Sequence, residues 1–119
     1  MAVERREALD RARLLLRGLL TDEEFAQFLR DGYLKVRSTV YPHREYHIPG
    51  LAGMVRVYED GKPTMRLCVG PTKALPPDDV IVTHLLMIRG DERRYLEKAN
   101  AFPFVERAFD GFICALPRM

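Results

Sequence analysis

The sequence predicts a single α+β domain with an N-terminal helical hairpin, a small antiparallel sheet of three or four strands, and C-terminal helices. Three features carry that expectation. A full helix-capping signature stands at Thr21-Asp22-Glu23-Glu24. The hydrophobic period switches from helical to two directly after Gly32. An acidic pair, Asp78-Asp79, then opens a long apolar stretch that ends at Gly90-Asp91. Residues 1–119 fit one domain, with 1–101 as its core and 102–119 as an aromatic-rich C-terminal extension.

Residues 3–19 read as an amphipathic helix. Leu9, Ala12, Leu16 and Leu19 recur at helical spacing, and Leu15 widens the stripe. Glu7 precedes Arg11 by one turn, a favourable pair. The next helix starts at Thr21, with Leu20 and Phe25 in the positions of a hydrophobic staple. It is expected to bury Phe25, Phe28 and Leu29 and to stop at Gly32, which tolerates a left-handed cap.

The alternation Tyr33-Leu34-Lys35-Val36-Arg37 puts Leu34 and Val36 on one face of a strand, and Tyr46-His47-Ile48 is a second short run. Residues 54–58 and 64–69 flank Asp60-Gly61 as a hairpin. A two-residue turn would set the apolar faces of these strands out of phase. A longer connection pairs Val57 with Met65 and Val55 with Leu67, and is expected for that reason. A Pro-rich connector, Gly70 to Pro77, leads to a buried helix ending at Arg89. A further helix follows, with Tyr95, Leu96 and Ala99 inward. In the tail, Phe102, Val105, Phe109, Phe112 and Ile113 fit a helical stripe that either folds onto the core or binds a partner or a second copy.

Composition excludes several classes. The 119 residues carry 19 Lys+Arg against 17 Asp+Glu, a net charge of +2. No run of roughly 18 apolar residues exists, so no membrane is expected as a partner. The N-terminus alternates charge and has no apolar segment of a secretory signal. Two cysteines, Cys68 and Cys114, make no disulfide framework, so a cytoplasmic, reducing setting is expected. Size leaves no room for a cofactor domain beside a substrate domain.

The basic residues are unevenly placed. Residues 33–77 hold seven (Lys35, Arg37, Arg44, Arg56, Lys62, Arg66 and Lys73) against three acidic ones, Glu45, Glu59 and Asp60. With the hairpin in phase, Arg56 and Arg66 lie opposite each other and face outward, and Lys35 and Arg37 join that face if their strand joins the sheet. Tyr33, Tyr46 and Tyr58 are placed nearby. Cations interleaved with aromatics suit phosphate contact and base stacking. The same residues also suit a solvated face that protects the sheet from aggregation. Lys35, Arg37, Arg56 and Arg66 are therefore the candidate nucleic-acid residues, and Phe102, Phe109 and Phe112 the candidate partner-binding ones.

No catalytic constellation, cofactor motif or metal pattern emerges. His43 and His47 are four apart but not on a helix, and Cys68, His84 and Cys114 lack zinc-ligand spacing. A Cys68–His84 dyad has nothing that marks an activated thiol. The carboxylate clusters sit at helix starts, where capping explains them.

Three resemblances attach to particular residues. Leu20 to Arg37 looks like the opening of phytanoyl-CoA dioxygenase-type enzymes, whose His-x-Asp iron motif is not present here. Tyr46-His47-Ile48, residues 54–57, Leu67-Cys68-Val69-Gly70-Pro71 and Thr83-His84-Leu85 follow the layout of a SWIM-type zinc module. Gly70 stands where that family has a second cysteine, and the layout implies DNA or protein binding. Residues 14–100 resemble a group of short uncharacterised proteins of high-GC bacteria and their phages. The shared features are the Leu-Thr-Asp-Glu-Glu opening, Gly32-Tyr33, Leu67-Cys68 and Asp79-Val80 leading to Ala99-Asn100. That resemblance implies no activity.

Overall fold

Thr21 and Glu24 cap each other as their spacing requires. In the computed structural model, which describes residues 2–50, 53–68 and 77–104, the Thr21 hydroxyl oxygen accepts from the Glu24 N–H at 3.1 Å. The Glu24 carboxylate accepts from the Thr21 N–H at 2.9 Å. This box starts α2 (Asp22–Asp31), which follows α1 (Ala2–Leu19) after a two-residue break. Gly32 ends α2 at φ 80°, a left-handed conformation that a side chain would strain.

Five strands follow the helical pair in one antiparallel sheet. They are β1 (Tyr33–Arg37), β2 (Arg44–Pro49), β3 (Val55–Glu59), β4 (Lys62–Cys68) and β5 (Asn100–Pro103), adjacent in that order. Between β4 and β5 the chain forms α3 (Pro77–Gly90) and α4 (Glu92–Lys98), the latter capped by Asp91. The α+β architecture is thus as expected, with one strand more than the three or four anticipated.

The additional strand corrects the reading of residue 102 as the start of a helical stripe. Phe102 precedes Pro103, whose ring disfavours helical backbone at the preceding residue. The chain leaves α4 through Ala99 in an extended conformation and pairs Phe102 with Arg66. The sheet therefore runs past the expected boundary at residue 101. The remainder of the expected stripe, from Val105 onward, lies outside the described residues.

The hairpin reaches the expected register by a different route. Val55 pairs with Leu67, Arg56 with Arg66 and Val57 with Met65. The turn nevertheless has only two residues, Asp60 and Gly61, both at positive φ (52° and 78°), as a tight hairpin of matching twist needs. Phase is restored by a bulge. Tyr58 pairs with Pro63 and Val57 with Met65, which leaves Thr64 as the extra residue. The Thr64 hydroxyl donates to the Val57 carbonyl at 3.2 Å.

The helices cover one face of the sheet. Leu34, Val36, Ile48, Val55, Val57 and Leu67 from the strands share a core with Leu16, Phe28, Ile81, Leu85 and Ile88. Arg13 of α1 binds Asp78 at the start of α3 at 2.5 Å. Three expected core contributions fail. Leu9 and Leu15 of α1 are exposed, while Ala12 and Leu16 are buried and Leu19 packs against the core, and Leu29 of α2 is 57% exposed. Periodicity identifies an apolar stripe, but only a partner buries it.

Glu92 and His84 are among the buried polar groups of the described residues. The Glu92 carboxylate, 3% exposed, accepts from the Ser38 hydroxyl, from the Thr39 N–H at 2.9 Å and from the Tyr46 hydroxyl at 2.7 Å. His84 on α3 lies 3.0 Å through Nδ1 from the Tyr95 hydroxyl of α4.

The terminal strand β1 is closed by a side chain. Gln27 of α2 accepts from the Lys35 N–H at 3.0 Å and donates to the Tyr33 carbonyl at 2.8 Å. Its amide thereby imitates one residue of a neighbouring parallel strand. Asp31 accepts the second amide hydrogen at 3.0 Å and fixes the orientation. Gln27→Ala is expected to cost about 1–2 kcal/mol in urea unfolding and to speed amide exchange at Lys35. Unchanged exchange at Lys35 would show that the edge does not depend on Gln27.

Candidate functional site

Alternation along the strands sends every second side chain to the face away from the helices. Register then sets these side chains abreast. Lys35 is opposite His47, His47 opposite Arg56, Arg56 opposite Arg66, and Arg66 opposite Phe102. One row thus crosses all five strands and contains three of the four basic residues singled out from the sequence. Arg37 occupies the next row, opposite Glu45, which is opposite Tyr58.

Depth divides these residues. Lys35 and Arg37 on β1 are exposed, and Arg56 on β3 is half-buried. Arg66 is 3% exposed, and its Nε donates to the Pro103 carbonyl at 2.9 Å. The expectation of an outward, solvent-facing Arg66 is corrected for this reason. Strand β5 makes β4 an interior strand, and Arg66 is bound to the new neighbour's backbone. Arg56, its like-charged register partner, has its guanidinium 5.6 Å from the centre of the Phe104 ring.

The open part of the face, over β1 to β3, holds an aromatic stack. The His47 ring lies 4.5 Å from Tyr33 at an interplanar angle of 16°, and 4.2 Å from Tyr58 at 28°. Phe104 meets Tyr58 edge-on at 6.2 Å. Glu45 orients the imidazole through Nε2 at 2.7 Å. Beside the stack is a concavity of about 440 Å³ lined by Gly32, Tyr33, His47, Pro49, Met54, Arg56 and Tyr58. Tyr46, placed near this face from the sequence, is instead fully buried on the helix side and bonded to Glu92. His47, a metal-ligand candidate in the sequence, is instead the centre of the stack. The alternation of Tyr46 and Ile48 inward already sends His47 outward.

The other candidates are dispersed. His43 is 3.6 Å from Asp60, apart from His47 and its Glu45 partner. Cys68 is buried at the end of β4. Cys114 lies outside the described residues. Among the described residues no group of three or more His, Cys, Asp or Glu side chains could hold a metal ion. No helix among them is long and apolar enough to cross a membrane. Of the partner-binding candidates, Phe102 is a half-buried strand residue, and Phe109 and Phe112 lie outside the described residues. No family model, curated protein or solved structure matches the chain.

Proposed function

We propose that the chain is a non-enzymatic binding or accessory module that contacts nucleic acid through the outer face of its sheet. The observation that carries this reading is the juxtaposition, over β1 to β3, of exposed Lys35 and Arg37 with the Tyr33–His47–Tyr58 stack. Cations attract phosphates without regard to sequence, and rings add contact with bases. A face built only for solubility needs the charges but not three stacked rings. A cytoplasmic setting belongs to the same reading.

Salt-titrated anisotropy with a labelled single-stranded oligonucleotide tests the reading. Affinity should fall steeply with salt, and a Lys35→Ala, Arg37→Ala double variant should flatten the logarithmic slope by about 1–2. Equal affinity at low and high salt, or an unchanged slope in the double variant, would refute it.

A further inference from the structure

We propose that the concavity beside the Tyr33–His47–Tyr58 stack takes one unstacked nucleobase, so that the module selects single strands over duplex. This inference rests on the nucleic-acid reading above and adds to it the form of nucleic acid and the place where a base sits.

The lining defines the ligand chemistry. Tyr33 and Tyr58 supply π surface at the two ends of the stack, with His47 covered on both faces between them, and Pro49 supplies apolar contact. Positive charge flanks the stack on both sides, because Lys35 and Arg56 are the two register partners of His47. A flat, π-rich group joined to a phosphate satisfies all three features at once. The stack is closed at one end, where Phe104 meets Tyr58 edge-on. At the other end Tyr33 stands on the terminal strand β1, next to Gly32, whose lack of a side chain leaves room for a planar ligand.

The same geometry disfavours a duplex. Paired bases are read by elements that enter a groove, such as a helix or a protruding two-stranded ribbon. Here the rings are half-buried on the surface of a five-stranded sheet, so only a base that has left its helix can reach them. Base identity should matter little. The His47 Nε2 is taken by Glu45, and stacking does not discriminate strongly among bases.

The test compares four probes on the full chain: a single strand, its duplex, the same strand with abasic positions, and a free nucleoside monophosphate. The protein has five tyrosines and no tryptophan, so quenching of tyrosine emission reports base contact directly. The single strand should bind about tenfold or more tighter than the duplex and quench the emission, and abasic positions should remove roughly 5- to 100-fold in affinity. Tyr33→Leu and Tyr58→Leu, each checked for folding by circular dichroism, should lose a similar factor on the intact strand and little on the abasic one. Equal binding of single strand and duplex, or of intact and abasic strands, would overturn the inference and leave the electrostatic reading standing. A free monophosphate that binds as tightly as the strand would also overturn it, in favour of a nucleotide pocket. Failure of every nucleic acid to bind would remove the underlying reading as well.

Discussion

Glu92→Ala is expected to lower folding stability by roughly 3–5 kcal/mol, because it strands several hydrogen-bond donors at once. The carboxylate joins three separate parts of the chain. It accepts from Ser38 and Thr39 in the turn after β1 and from Tyr46 on β2, while its own residue begins α4. Burial by itself would raise its pKa. The bonds from Ser38, Tyr46 and Thr39 outweigh that and hold it below the ordinary carboxylate value of 4.5. Tyr46 is held strongly protonated, first by its burial and then by its bond to Glu92. Alanine would leave the buried Tyr46 hydroxyl without this acceptor, and the Thr39 N–H, on an exposed residue, would lose its carboxylate partner.

Glu92→Gln keeps the shape and one acceptor, so it should cost less, about 1–2 kcal/mol. Urea unfolding of the two variants distinguishes a hydrogen-bonded anchor from a mere space filler. Equal small losses for both would show that the carboxylate is dispensable. The anchor also bears on the outer face. Tyr46 and His47 are adjacent on β2, one pinned inward by Glu92 and the other stacked outward between Tyr33 and Tyr58. Loosening the first should loosen the stack, so Glu92→Ala should weaken single-strand binding even where the protein remains folded.

Local chemistry made parts of this fold legible in the sequence. The Thr21–Glu24 box, the Gly32 cap and the alternation of β1 each depend on residues within a few positions of one another. The hairpin register was legible for a related reason. Any pairing that exposed Val55 and Leu67 would lose their burial, so the chain inserts a bulge at Thr64 sooner than break phase. Strand β5 was hidden because its pairing with β4 spans more than thirty residues and shows locally only as the Phe102-Pro103 restriction. Exposure of Leu9, Leu15 and Leu29 was hidden likewise, since a helix encodes its apolar stripe but not the length of its neighbour.

The candidate site divides in the same way. Alternation sufficed to put Lys35, Arg37, Arg56 and Arg66 on one face. It could not reveal that Arg66 would be bonded to the backbone of a fifth strand. Nor could it show that His47 stacks diagonally, since Tyr33 pairs with Pro49 and Tyr58 with Glu45, each two residues from His47. Diagonal neighbours of this kind become visible only once the register is known.

His84 should make the protein lose stability on mild acidification, by roughly 3 kcal/mol between pH 6.5 and about 4. The ring is 5% exposed on α3, and burial pushes its pKa down from 6.5 to about 4. Above pH 6.5 the ring is neutral in both folded and unfolded chains and adds no pH dependence. As pH falls from 6.5 towards 4, the unfolded chain takes up a proton that the folded one refuses, so folding becomes less favourable. Below about 4 both states are protonated and this contribution stops changing. The hydrogen bond fits the neutral form. Burial keeps the Tyr95 hydroxyl protonated, so it can donate to Nδ1, and a protonated ring would lose that acceptor. Glu92, Glu24 and Asp31, whose pKa values are lowered, act in a different window. Their stabilisation is present above the ordinary carboxylate values of 4.5, 4.5 and 3.8 and is lost as pH falls below them. The interval from pH 6.5 to 4.5 therefore separates the His84 contribution from that of these carboxylates. Urea midpoints of wild type and His84→Gln, measured across that interval, should converge as the pH drops, because only the wild type carries this buried titration. Parallel curves for the two proteins would mean that His84 does not stay neutral in the core.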